Sequence, residues 1–293
     1  MAAAPWDAPA GRRFRFVQVE VPWELGPPDG RYVLRGHAGE VAHVLVLQTV
    51  TAHPRRPLLR WRPRRAAPEP APADVATTRA TLVAAQAFPD AATARGWLRR
   101  ADLGAEAAEA VGVLNGVVHA QRIATADPFV REIALDQALA VRVGIGLGEE
   151  VADGDWTEAR ALPVAPRASM PRRASALRPQ ERFAALLSGR DVALAAEELT
   201  LRARLDLDRG RTREAALQLR VALEAALAEL QAWAYREDLA ERLAELRDAR
   251  PAVAAAANRA LEGGLDEQQV EDVGRVVGRL EAALAARVAG GFE

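Results

Sequence analysis

Residues 41–50, VAHVLVLQTV, form a continuous run of β-branched and aliphatic side chains that predicts a central β-strand. Upstream, residues 14–20 (FRFVQVE) alternate apolar with polar side chains, which is typical of a half-buried strand. The turn sequence GPPDG at residues 26–30 leads into a third strand at Arg31–Arg35. These segments predict a small antiparallel meander near the start of the chain.

The segments that follow alternate between strand and helix patterns. Thr77–Ala84 and Leu139–Leu147 have strand character. Three helices are predicted between them, at Asp90–Arg100 with Asp90 as N-cap, at Ala105–Ala124, and from Asp127-Pro128 to about Ala138. We therefore expect an α+β domain over residues 1–161, built on a small antiparallel or mixed sheet with helices.

The second half of the chain has a different pattern, and it predicts an all-α helical bundle over residues 179–293. The Pro- and Arg-rich residues 162–178 are interpreted as the linker between the two domains. About five helices are expected in the bundle. Their predicted landmarks are Asp191–Asp208 ending at Gly210, an N-cap at Thr212 with a buried face to Trp233, Leu239–Arg250 ended by Pro251, Ala252–Leu261, and a capping box of Asp266 with Gln269.

Composition excludes several classes of site. The 293 residues contain no cysteine, and all 39 basic residues are arginine, which is typical of a GC-rich bacterial genome. Disulfides, cysteine-ligated metals, a Walker A lysine and Schiff-base chemistry are therefore excluded. The four histidines lack zinc-site spacing, none of the three serines lies in a G-x-S-x-G elbow, and no cofactor is expected. With neither a secretory leader nor a long apolar run, we expect a cytoplasmic chain that does not bind membranes.

The hairpin predicted from Asp191–Asp208 and Thr212–Leu230 has small and turn residues at regular positions. They are Ala203, Gly210, Glu214, Ala215, Ala222 and Leu223. In this spacing the pair resembles a single tetratricopeptide-type hairpin, although Leu199, Asp206 and Leu219 stand where that family usually has aromatic residues. The resemblance implies docking to another protein. An ordinary antiparallel helical hairpin is the alternative interpretation.

An acidic segment follows the predicted strand Leu139–Leu147 and its glycine-rich end. Its carboxylates at Glu149, Asp153, Asp155 and Glu158 are candidate ligands for a hard cation such as Ca²⁺ or Mg²⁺, or candidate acid–base groups of an enzyme. The glycines at 144, 146 and 148 lack the spacing of a dinucleotide-binding loop. Solvated loop charge is the simpler interpretation of the acidic residues.

An arginine-rich segment precedes the Pro/Ala-rich loop at residues 66–74. It combines phosphate-binding charge with an aromatic ring, in Arg55, Arg56, Arg60, Trp61, Arg62, Arg64 and Arg65. Nucleic acid or another polyanion is one possible ligand for this segment. A smaller cluster lies at Arg167, Arg172 and Arg173. Docking of both basic segments on acidic surfaces of the same or a neighbouring molecule is the alternative.

Taken together, the sequence favours a non-catalytic interaction or adaptor module, in which the helical half binds a protein partner or a second copy of itself. Small residues dominate its helical apolar faces and allow close packing. Polyanion binding through residues 55–65 and a metal-assisted enzyme using the 149–158 loop are the two alternatives.

Overall fold

The computed structural model describes residues 11–36, 38–51, 76–163 and 179–289. The chain divides into two compact units, Met1–Arg167 and Ala168–Glu293. The first unit combines a sheet with helices, and the second is helical in its described part. The predicted α+β fold class is confirmed.

The first unit is built on a six-stranded antiparallel sheet with the order β2-β3-β4-β1-β5-β6. Its strands are β1 (Phe14–Val21), β2 (Gly30–Arg35), β3 (Val41–Thr51), β4 (Ala76–Ala87), β5 (Ala140–Gly146) and β6 (Trp156–Leu162). The five predicted strands are confirmed. Strand β3 is an internal strand with a partner on each side, as predicted for the 41–50 run. The predicted meander of the first three strands is wrong for β1, which lies between β4 and β5 and not beside β2. Strand β6 was not predicted, since its sequence WTEARAL has no apolar alternation.

Two helices cover one face of this sheet, α1 (Ala91–Arg100) and α2 (Leu103–Thr125). Asp90 caps α1 as predicted, with its carboxylate accepting a hydrogen bond of 2.7 Å from the Thr93 N–H. Asp102 caps α2 in the same way through the Gly104 N–H at 2.9 Å. The apolar faces of both helices pack on alternate residues of the strands, including Val17, Val19 and Val143. This layer is the main core of the first unit.

The predicted third helix, from Asp127 to about Ala138, is wrong. Helix α2 ends at Ala126 in a left-handed conformation (φ 52°), and only the short 3₁₀ turn Leu135–Gln137 follows. The buried side chain of Asn115 holds this segment, because its amide donates to the Ile133 carbonyl at 2.9 Å and its oxygen accepts from the Ile133 N–H at 2.7 Å. These two bonds satisfy backbone groups that a helix would otherwise have paired.

The second unit contains, in its described part, five α-helices. They are α3 (Pro179–Leu187), α4 (Ala195–Asp208), α5 (Thr212–Glu229), α6 (Glu237–Glu262) and α7 (Glu267–Ala289). Helices α4 to α7 pack around one core of alanine, leucine and valine side chains. The predicted capping box is confirmed, since Asp266 and Gln269 exchange hydrogen bonds of 3.0 and 2.8 Å between side chain and backbone.

Three predicted helix boundaries in this unit are wrong. Thr212 is the first helical residue rather than the N-cap. The helix predicted from Asp191 begins at Ala195, where the Glu229 carboxylate accepts from the Ala195 and Ala196 N–H groups. Pro251 lies inside α6 instead of ending it. The buried face of α6 continues across Pro251, from Leu246 to Val253, and this burial offsets the hydrogen bond that proline removes.

Within the described ranges, every helix is too short or too polar to span a bilayer.

The two hydrogen bonds between the Asn115 side chain and the Ile133 backbone give a first test of the fold. Changing Asn115→Ala removes both hydrogen bonds to the backbone of buried Ile133, so the free energy of unfolding should fall by about 3 kcal/mol in urea denaturation. The matched control is Gln121→Ala on the same helix, whose single bond to the Gly26 carbonyl is long (3.5 Å) and exposed, and a loss below about 0.5 kcal/mol is expected there. Equal losses of unfolding free energy in the two variants would show that the hydrogen bonds of Asn115 do not hold this segment.

Candidate functional site

Large apolar side chains are exposed on the first two described helices of the second unit and in the segment between them, and we call them the α3–α4 apolar surface. The exposed fractions are 59% for Phe183, 74% for Leu187, 66% for Val192, 65% for Leu201 and 46% for Leu205. Single exposed apolar residues are common on protein surfaces, but several large ones on two consecutive helices favour a binding surface.

Helix α3 exposes its larger apolar side chains and buries a small one. Phe183 and Leu187 are four residues apart and therefore share one helix face, yet both are mostly exposed. The residue of α3 that is buried is Ala185. A helix that buries a methyl group while exposing a phenyl ring and a leucine leaves most of its apolar area available to a partner.

Helix α4 has separate inner and outer apolar faces. Ala196, Thr200 and Ala203 are buried against the rest of the unit. Leu201 and Leu205 lie four residues apart on the outside. Next to them the exposed pair Glu198 and Arg202 is joined at 2.9 Å, which gives the outer face a charged border. An apolar centre with a polar rim is the usual composition of a protein interface.

The residues that carry the tetratricopeptide resemblance lie at the α4–α5 hairpin. Ala203, Ala215 and Ala222 are fully buried between packed helices, and Leu223 is 1% exposed. Gly210 adopts a positive φ of 70° in the connection, as a C′ glycine does. The structure therefore confirms a tight helical hairpin, and its small side chains explain the close packing.

A buried ion-pair cluster connects α3 and the start of α4 to the end of α7. Asp191 pairs with Arg287 and, at 3.2 Å, with Arg182, while Arg182 also reaches Glu197 at 2.5 Å. The Arg287 guanidinium lies 4.8 Å from the centre of the Trp233 ring. Burial raises the pKa of Asp191, but hydrogen bonds from the Val192 N–H, Arg287 and Arg182 outweigh burial and leave that pKa below its usual value. The cluster thus holds α3 in place through charged contacts.

The predicted acidic loop forms a 3₁₀ turn, Glu149–Asp153, that folds over the sheet face opposite α1 and α2. Glu149 accepts from Arg31 Nε at 2.6 Å, and Asp153 accepts from Gln48 Nε2 at 2.7 Å. Val151 of this turn is buried with Phe16 beneath it. Two of the four candidate metal ligands are therefore already engaged with strands β2 and β3.

The other two candidate ligands lie away from these contacts. Asp155 follows the turn, and Glu158 lies on β6 opposite Ile145, both with exposed side chains. Among the residues that the structure describes, no three histidine, aspartate or glutamate side chains are close enough together to hold a metal ion. Acid–base chemistry in this segment stays a prediction.

A polar network occupies the same sheet face, and the sequence did not reveal it. Gln18 is buried, donates to Thr81 at 3.1 Å and accepts from Arg142 at 3.1 Å. Glu20 accepts from both Arg142 and Arg79, at 2.9 and 3.1 Å. These residues come from three neighbouring strands and lie up to 124 positions apart in the chain. Only knowledge of the strand order could have identified them.

A small cleft lies at the edge of the α2 layer, between His43 on β3 and Arg15 on β1. Arg15 pairs with Glu106 at 3.2 Å and with Glu109 at 3.5 Å, both on α2. Burial lowers the pKa of His43, and the charge of Arg15 lowers it further, while Glu109 opposes them. The pKa of His43 therefore lies below its usual value of 6.5.

Several predicted features lie outside the described residues. They are the arginine-rich segment with Arg55, Arg56, Arg60, Trp61, Arg62, Arg64 and Arg65, the loop at 66–74, most of the predicted linker at 162–178, and His37 and His53. Polyanion binding by the arginine-rich segment therefore stays a prediction. Of the remaining histidines, His119 contacts Arg122 at 2.8 Å on the same helix.

Comparisons with known proteins give no further assignment, because no family model, no curated protein and no solved structure matches the chain.

The ion-pair cluster predicts a pH-dependent stability. Since the pKa of Asp191 is lower in the folded than in the unfolded chain, its contribution is complete above the usual value of 3.8 and is lost as the pH falls through the folded value. Asp191→Asn should lower the free energy of unfolding by about 3 kcal/mol at pH 7, because buried Arg287 then loses its nearest carboxylate and keeps only Glu197 at 3.7 Å. Below pH 3.8 the difference from the unmodified chain should narrow. Urea denaturation at several pH values measures both effects.

The matched control for Asp191 is Glu224→Gln, which removes an exposed ion pair with Arg250 in the same unit. A change of about 0.5 kcal/mol or less, with little dependence on pH, is expected for this variant. If Asp191→Asn behaved like the control, the cluster would not stabilise the unit.

Proposed function

We propose that this chain is a non-catalytic protein-interaction module, whose helical unit binds a partner protein through the α3–α4 apolar surface. The observation that carries the proposal is that α3 exposes Phe183 and Leu187 while burying Ala185. In a helix that packs only on its own unit, the larger apolar side chains are expected on the buried face.

The energetics of burial favour this surface as a docking site. Full burial of a leucine or phenylalanine side chain contributes about 1.5–3 kcal/mol. Four of the exposed side chains form two pairs at helical spacing, Phe183 with Leu187 and Leu201 with Leu205. A partner that covers one pair gains enough apolar burial to form the centre of an interface, and the charged border excludes water around it.

The surface is also held before a partner arrives. Arg182 connects α3 to Asp191 and Glu197, so the two helices are tied together at the first turn of α4. The Glu197 side chain additionally accepts from the Leu194 N–H at 3.0 Å. Preorganisation of this kind reduces the entropy lost on binding. The proposed partner is accordingly a protein with an apolar docking face, to which this surface presents two short ridges.

The test compares capture by the unmodified chain with capture by Leu201→Glu/Leu205→Glu. Proteins from a native lysate are cross-linked to immobilised chain, and the cross-linked peptides are mapped by mass spectrometry. Loss of two buried leucines corresponds to about 3 kcal/mol, so retention of the specific partner should fall about a hundredfold. The cross-links of the unmodified chain should map to α3 and α4.

The matched control is Glu241→Arg, an exposed charge change on α6 in the same unit. It should retain the partner fully, and both variants should keep the thermal stability of the unmodified chain because the altered side chains are exposed. The proposed function would be refuted if Leu201→Glu/Leu205→Glu captured the partner as well as the unmodified chain does. Cross-links that map outside α3 and α4 would refute it too.

A further inference from the structure

Strand β6 (Trp156–Leu162) is the last strand on its side of the sheet in the described part of the chain. Thr157, Glu158, Arg160 and Ala161 are all exposed. Among the described residues no strand pairs with the side of β6 that faces away from β5, so the backbone N–H and C=O groups on that side can pair with an additional strand. Such an edge can pair with another chain by continuing the sheet.

The charged residues of β6 are placed so that two antiparallel copies of this strand can form ion pairs with each other. Glu158 and Arg160 are two residues apart, so their side chains lie on the same face of the sheet. If two β6 strands run antiparallel about a two-fold axis at Ala159, Glu158 of each copy lies directly opposite Arg160 of the other. Directly opposite charges of unlike sign stabilise a strand pair, and like charges destabilise it. One register therefore gives two ion pairs at once.

The other edge of the sheet lacks this property. Strand β2 (Gly30–Arg35) carries Arg31 and Arg35 but no acidic residue, so no register of β2 against itself forms an ion pair. Arg31 is in addition engaged with Glu149. Charged edges usually prevent sheet-to-sheet association, and β2 fits that role.

Two local features of β6 are compatible with the pairing. A β-bulge lies between the Glu158 and Trp156 positions, where the partner residues Ile145 and Gly146 are adjacent, so the regular part of the strand begins at Glu158. Arg160 donates one hydrogen bond of 3.0 Å to the Leu98 carbonyl of α1. This bond uses one of its five N–H donors and fixes the guanidinium on the face that carries Glu158.

We propose that β6 is a homodimerisation edge, which pairs antiparallel with β6 of a second copy through reciprocal Glu158–Arg160 ion pairs across the two-fold axis. The two six-stranded sheets then form one continuous sheet. This interface uses residues of the first unit, whereas the α3–α4 apolar surface uses residues of the second.

Sedimentation velocity of the full chain over a roughly hundredfold range of concentration tests the proposal. The unmodified chain should dimerise with increasing concentration. Either Glu158→Arg or Arg160→Glu places like charges opposite each other twice, and each variant alone should weaken the dimer at least about tenfold. An equimolar mixture of the two variants should form a heterodimer again, because each arginine of one variant then faces a glutamate of the other.

Two further measurements separate this interface from the helical one. Amide hydrogen exchange should slow at β6 as the concentration of the unmodified chain rises. The variant Leu201→Glu/Leu205→Glu should leave this dimer unchanged, so loss of partner capture and loss of the dimer are distinguishable. A chain that stays monomeric, a dimer that survives both charge reversals, or a mixture that fails to associate would overturn the proposal.

Discussion

The alternation of side chains along β1 is the constraint on which the first unit depends. This strand lies between β4 and β5, and its odd-numbered residues Val17 and Val19 face the two helices. Its even-numbered residues, from Phe16 through Gln18 to Glu20, face the other way. A shift of register by one residue would exchange these two sets and would place Gln18 and Glu20 in the helix-covered core. Because that exchange is so unfavourable, the registers of both neighbouring strands are fixed, and with them the positions of all groups on the second face.

The second face is organised without a described helix. At one end Phe16 stacks on Trp156 at 5.9 Å, and Val151 of the 3₁₀ turn is buried beside them. Towards the other end, Arg142 and Arg79 share the Glu20 carboxylate and shield Gln18 and Thr81. Buried polar groups are tolerable only when they are hydrogen-bonded, and here each bond crosses between strands. The network therefore specifies the strand order as well as stabilising it.

Much of this fold could be predicted from local patterns, and the failures have a common physical cause. Alternation identified β1, and a β-branched run identified β3, because the apolar pattern of each strand reflects which of its residues are buried. Strand β6 could not be identified in this way, since its residues are exposed or half-buried and show no apolar alternation. The segment after Ala126 begins with a good helix start, but its backbone is satisfied by Asn115, 18 residues away from Ile133. Pro251 ended a predicted helix that in fact continues, because packing on both sides outweighs one missing hydrogen bond. Tertiary contacts decide each of these cases, and local sequence does not contain them.

The candidate surfaces show the same limit more strongly. Leu201 and Leu205 look like core residues by spacing, and only the buried face of α4 with its alanines reveals that they point outward. Asp191 looks like a helix start, but its carboxylate accepts a hydrogen bond from Arg287, 96 positions away. The acidic residues that suggested a metal site are instead divided between Arg31 on β2, Gln48 on β3 and an exposed edge. In a chain whose only basic residue apart from histidine is arginine, the planar guanidinium pairs readily with carboxylates, as in the two-point contact of Arg204 with Glu281 at 2.8 and 2.9 Å. Charge clusters in such a sequence therefore indicate internal ion pairs before they indicate a binding site. In the described part of the chain, the features that support the two proposals are instead the exposed apolar side chains of α3 and α4 and the outer edge of β6.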